Sequence, residues 1–203
     1  DAIRRLQVMK LKLEESDDAQ LIFESLNSTG LDLSEADMIR NYVLMGRARG
    51  DQEHLYENFW NRMEQNVGYD TSRFIRHYLT AKLGRTPRIT QLYEEFKHYV
   101  KVGQQDIPTL LGDMRDYSAH FRDLRQATTG DVRTDRLLRR YNLVDRDVTV
   151  PLLLPVLAEY RAGTIDAADL QGVIRAVDNY LTRRFVCGYP TNALNKIFAL
   201  LYR

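Results

Sequence analysis

The segment DIPTLLGDMRDYSAHFRDLR, residues 106–125, decides the fold class. Asp106 is a favoured N-cap residue, and Pro108 falls where a first helical turn tolerates proline. Leu110, Met114, Tyr117, Phe121 and Leu124 follow at spacings of 4, 3, 4 and 3. That is one helix face held for two heptads, too short for a coiled coil and suited to a bundle seam.

The same period runs outward on both sides. Towards the N-terminus, Leu92, Phe96, Tyr99 and Val100 form a stripe closed by Gly103, and Phe74, Ile75, Tyr78 and Leu79 one closed by Gly84. Leu55, Phe59 and Met63 repeat every four residues beside Trp60. Ser34 caps a helix carrying Ala36, Ile39 and Val43, with Asp37 as a capping-box variant. Asp17 or Asp18 caps another with Ile22, Phe23 and Leu26, stopped at Asn27-Ser28-Thr29-Gly30. Towards the C-terminus, a looser stretch at 126–135 precedes a short helix with Leu137, Leu138 and Tyr141. Val150, Leu153, Leu154 and Leu157 make an almost all-round apolar helix, expected at the centre and started or kinked by Pro151 and Pro155. Asp166 and Asp169 open a helix with Leu170, Val173, Ile174, Val177, Tyr180 and Leu181, broken at Cys187-Gly188-Tyr189-Pro190. A last helix holds Leu194, Ile197, Phe198 and Leu201. The expected fold is all-α, an irregular multi-helix bundle of about ten helices.

Residues 4–13 are the exception. Met9, Leu11 and Leu13 alternate with Lys10 and Lys12, the period of a short N-terminal β-strand with one wet face. A lone strand needs partners for its backbone groups. With no Met at position 1, the expectation is a portion of a longer protein.

The 203 residues are 44% apolar and 28% charged, which excludes a disordered tail or a disulfide-stapled miniprotein. The single cysteine, Cys187, points to a reducing compartment. The apolar stretch 148–158 is interrupted by prolines and falls short of the ~20 residues of a membrane helix. No signal peptide is read, so a cytoplasmic location without membrane contact is expected. The net charge of +1 hides a division: −5 over residues 1–60 and +6 over 61–203. Arginine outnumbers lysine 23 to 6, which fits either phosphate recognition or arginine-favouring codon usage.

Catalytic motifs are not found. His54, His77, His98 and His120 fall on different predicted helices without a His-Glu-x-x-His pattern. Glu95-x-x-His98 occurs once, where a di-iron bundle needs two copies and further glutamates, so no metal is expected. Cys187 is expected to be a half-buried structural residue. Phosphate-binding and dinucleotide-binding glycine loops and the Gly-x-Ser-x-Gly elbow are absent.

Two segments stand out. Phe23-x-x-x-Asn27-x-x-Gly30-x-x-Leu33-Ser34, followed by Asp37-x-Ile39-x-Asn41-Tyr42, reads as a tight helix–turn–helix corner. Arg183-Arg184-x-Val186-Cys187-Gly188-x-Pro190-Thr191-Asn192 ends a helix with two arginines, which either answer its dipole or contact nucleic acid. The first segment resembles the end of the ParB/sulfiredoxin-like N-terminal domain of GmrSD-type restriction endonucleases. The second resembles the junction before their C-terminal His-Me finger nuclease domain.

That resemblance implies a bacterial or archaeal phage-defence protein that cuts foreign, often modified, DNA and couples nucleotide hydrolysis to cleavage. It divides the chain into 1–46, the C-terminal remnant of the ParB/sulfiredoxin-like domain, and 47–203, a helical linker or scaffold. The family's Asp-Gly-Gln-Gln-Arg motif and its nuclease His and Asn residues are absent from this chain. The expectation is therefore a non-catalytic middle segment without a cofactor of its own. The parent protein would use a nucleoside triphosphate and a divalent metal. Phe23, Asn27, Gly30 and Leu33 carry over as a supporting corner, with Asn27 near the nucleotide site. The partners implied are DNA through the parent protein, the flanking domains, and a second copy in a homo-oligomer. Alternative readings are a helical protein-interaction bundle or an arginine-rich DNA-binding module. Arg133, Arg136, Arg139, Arg140, Arg183 and Arg184 are its candidate phosphate contacts.

Overall fold

The computed structural model describes residues 33–202, and every regular element among them is helical. The expected strand at 4–13, and Phe23, Asn27 and Gly30, lie outside the described residues.

Helix α1 (Glu35–Leu44) starts where Ser34 Oγ accepts from the Asp37 N–H at 3.1 Å, and it buries Ala36, Ile39 and Val43. Helix α2 covers 49–66 in three parts: Arg49–Leu55, a π turn Tyr56–Trp60, and Asn61–Asn66. The wider turn changes which side chains face inward. Leu55, Trp60 and Met63 are buried, and Phe59 is only half-buried. The every-fourth-residue stripe read from the sequence assumed an unbroken α-helix.

Helix α3 (Thr71–Leu83) closes on Gly84, whose φ of 68° suits a residue without Cβ. The carboxylate of Glu35 reaches from α1 to accept the Tyr93 N–H at 2.7 Å. It thereby satisfies one of the unpaired donors in the first turn of α4 (Leu92–Val102) and opposes its positive dipole end. Asp106 caps α5 (Ile107–Gln126), accepting from the Thr109 N–H at 3.1 Å. Asp131 does the same for α6 (Val132–Tyr141), accepting from Thr134 at 2.7 Å.

Helix α7 (Val150–Ala162) is the axis of the bundle. Every residue from Val150 to Leu157 is buried, because α3, α5, α8 and α9 all pack around it. Pro151 lies in its first turn, Pro155 lies inside it, and Gly163 ends it with φ of 76°. Helix α8 (Ala167–Val186) opens with a full capping box between Asp166 and Asp169. Helix α9 (Leu194–Leu200) buries Leu194 and Phe198. Helix α1 shares one continuous core with the helices after residue 47.

Candidate functional site

Three features combine unusual chemistry with a defined place in the fold. The first is a hub on Asp147, in the short turn that leads into α7. One carboxylate oxygen accepts from Arg73 Nε at 2.5 Å and lies 3.2 Å from His77 Nε2; the other accepts from Arg125. Asp145 adds longer ion pairs to Arg73 (3.7 Å) and Arg125 (3.9 Å). Burial alone would raise the Asp147 carboxyl. Hydrogen bonds from His77 and Arg73, with the charge of Arg125, outweigh it and hold the group well below the usual carboxylate range. His77 is buried and stacks on Phe121 at 6.1 Å between centroids. The hub ties the turn before α7 to α3 and α5. Sequence reading missed it because its members lie up to 74 positions apart.

The second feature is a groove of about 800 Å³ between residues 144–148, the last turns of α8 and the start of α9. Val144, Val148, Leu181, Phe185, Tyr189 and Leu194 contribute to its lining. Phe185 is 87% exposed and Val186 76%, large apolar exposures for the end of a helix. Two arginines sit in the groove wall, both already engaged. Arg146 pairs with Asp178 and lies over the Tyr141 ring at 4.5 Å. Arg184 sits 5.5 and 5.6 Å from the Tyr180 and Tyr189 ring centroids and donates to the Pro190 carbonyl. Cys187 is exposed here, not half-buried as the sequence suggested. The helix ends at Val186, and residues 187–193 that follow are exposed among the described residues.

The third feature is the outer face of α6. Thr134, Leu138 and Tyr141 point into the bundle, which leaves Arg133, Arg136, Arg139 and Arg140 exposed. The structure thus separates the six arginines grouped by sequence. Helix α6 lies against the N-terminal half of α8, where Gln171 donates to Asp131 at 3.1 Å and to Thr134 at 3.2 Å. Arg183 lies roughly 18 Å further along α8 at 1.5 Å per residue. Arg183 is exposed and Arg184 is half-buried. Leu33 is half-buried just before the α1 cap.

A tyrosine cluster on α3 and α5 completes the polar interior. Tyr78 donates to Asp113 at 2.5 Å, and Lys82 pairs with the same carboxylate at 2.8 Å while lying 4.4 Å from the Tyr117 ring centroid. Burial and then Asp113 push the Tyr78 phenol far up, and burial raises that of Tyr117 to about 12. Glu95 is held by Arg85 at 2.8 Å and 2.5 Å, and His98 is exposed. Among the described residues, no group of three or more His, Cys, Asp or Glu side chains could hold a metal ion, and no helix is long and apolar enough to cross a membrane.

No protein-family model matches the chain, and no curated protein or solved structure matches it.

Proposed function

We propose that this chain is the non-catalytic helical middle segment of a GmrSD-like, modification-dependent DNA restriction protein. In this reading it couples a nucleotide-hydrolysing domain before it to a nuclease domain after it. The groove at the end of α8 carries the proposal. It includes residues of the stretch Arg183–Asn192, which resembles the junction with the nuclease domain, and its apolar rim at Phe185 and Val186 is exposed among the described residues. The occupant we assign to it is that nuclease domain. The resemblance at Leu33-Ser34 and through Asp37, Ile39, Asn41 and Tyr42 places the other junction near α1, whose side chains Ile39 and Val43 enter the shared core. A packed core links the two ends. Such cores move between discrete arrangements, which suits the relay of a state from one domain to another.

The test is made on the longer protein. Its gene should encode Asp-Gly-Gln-Gln-Arg upstream and a His-Asn nuclease motif downstream. Phe185→Asp should then lower nucleotide-dependent DNA cleavage by at least about tenfold, within the range of a coupling energy of roughly 1–3 kcal/mol, while nucleotide hydrolysis persists. Missing flanking motifs, or cleavage unchanged in the variant, would refute the reading.

A further inference from the structure

The arginines of this bundle fall into two populations. Arg40, Arg49, Arg73, Arg85, Arg115, Arg122, Arg125, Arg146 and Arg161 each have a carboxylate within 4.0 Å. The other eleven described arginines have none, and four of them stand together on α6. The one acid within α6, Asp135, is turned away: its carboxylate accepts from the Thr129 N–H at 2.7 Å and the Thr129 hydroxyl at 2.6 Å. Asp131 is equally committed, to Thr134 and Gln171. Cations at the end of a helix answer its dipole, which accounts for Arg139 and Arg140. Arg133 stands in the first turn, where the dipole disfavours a cation, and Arg136 stands mid-helix. Helix stability therefore does not explain half of the set.

Arg133, Arg136 and Arg140 follow at intervals of three and four, so they share one face; Arg139 flanks it. Arg175, exposed on α8, extends the surface. It lies between Gln171, which contacts α6, and Asp178, which is taken by Arg146. From Arg133 to Arg140 the helix rises about 10 Å. One strand of a duplex presents a phosphate about every 3.4 Å along its axis, so this face spans roughly three. The planar guanidinium fork matches phosphate oxygens. The outer face of α6 carries no aromatic ring, because Tyr141 is buried, and so lacks the stacking platform that single-strand binders use.

We infer that the outer face of α6, with Arg175, grips the phosphate backbone of a nucleic-acid duplex without reading its sequence. The grip stands apart from the coupling role, and either can fail alone.

The test uses the 203-residue chain. Its binding to a labelled DNA duplex, the matching RNA duplex and the matching single strand is followed by fluorescence anisotropy across a salt series. With four arginines engaged, log Kd should change with log salt at a slope of magnitude about 3.6. Arg136→Ala combined with Arg140→Ala should flatten the slope by about 1.8 and weaken low-salt binding more than about tenfold, with an unchanged circular dichroism spectrum. Arg49→Ala combined with Arg88→Ala removes the same charge elsewhere and should leave the slope as it was. Loss confined to the α6 variant, on either duplex, supports the grip, and the better duplex identifies its source. Four outcomes overturn it: no duplex binding at low salt, equal losses in both double variants, tighter binding to the single strand, or tighter binding to phosphatidylserine vesicles than to duplex.

Discussion

Asp147 joins Arg73, His77 and Arg125 on one carboxylate, and its environment makes a pH prediction. Two guanidinium groups and His77 share its two oxygens. The carboxyl titrates lower in the folded chain than in the unfolded one, where its value is about 3.9. The stabilisation is therefore fully present above that value and is lost as pH falls from there towards the folded value. Asp147→Asn keeps the shape but removes the charge, leaving Arg73 and Arg125 facing a neutral amide. Breaking a fully buried pair costs about 3–5 kcal/mol. Asp147 is partly exposed, so about 2 kcal/mol is expected, or a melting temperature lower by about 4–8 °C. Urea midpoints measured from pH 6 to pH 3 test both parts (the range brackets that reference value). The variant should be weaker at the upper end and fall less steeply at the lower. Parallel pH profiles for the two proteins would show that Asp147 does not carry this dependence.

Helix α2 makes a prediction at the scale of an element. Leu55, Trp60 and Met63 are its buried residues, at spacings of five and three, because the π turn adds one residue to a helical turn. Removing one exposed residue from that turn would set the spacings to four and three, the stripe of a plain α-helix. Deleting Glu57 should therefore be tolerated at a cost of about 1 kcal/mol or less, with helix content unchanged; its hydrogen bond from Asn61 at 3.2 Å is exposed and small. A comparable deletion in α5 would rotate Phe121 and Leu124 out of the core and should unfold the chain. Thermal melts of the two deletions, compared with the parent, check this. If the Glu57 deletion melts as early as the α5 deletion, the π turn is needed for the fold. The same helix shows what sequence patterns can carry. Local signals were legible: the α5 seam, the Asp106 and Asp166 caps, the central apolar α7 and the glycine stops at Gly84 and Gly163 all follow from periods and backbone preferences within a few residues. The π turn was not, because an apolar Phe59 at the ideal spacing looks the same as a core residue until α5 packs against it. The Asp147 hub was illegible for the same reason, whereas the four arginines of α6 were legible as a group but not as a face apart from Arg183 and Arg184. Arg125 and Arg73 find Asp147 only across 22 and 74 positions. The six arginines grouped by sequence divide into an exposed set on α6 and a separate pair at the end of α8.

At the scale of the whole molecule, the two ends of α8 serve opposite physical purposes. Its first half, beside α6, adjoins charge that water and counterions solvate. Its last turns border an apolar groove on whose rim Phe185 and Tyr189 are exposed among the described residues. The two surfaces should respond to solvent in opposite ways. Monovalent salt screens the arginine face over a Debye length of about 8 Å at physiological strength. Sulfate, excluded from protein surfaces, strengthens apolar association. When the groove is uncovered, light scattering of the 203-residue chain should report an apparent mass that rises with sulfate and with protein concentration. Phe185→Asp should abolish that rise, because it places a charge at the rim. It should shift stability by no more than about 0.5 kcal/mol, since the ring is 87% exposed. Arg136→Ala with Arg140→Ala should leave the sulfate response intact while weakening duplex binding. If Phe185→Asp self-associates as the parent chain does, the apolar rim is not the sticky surface, and the docking role assigned to the groove loses its physical basis.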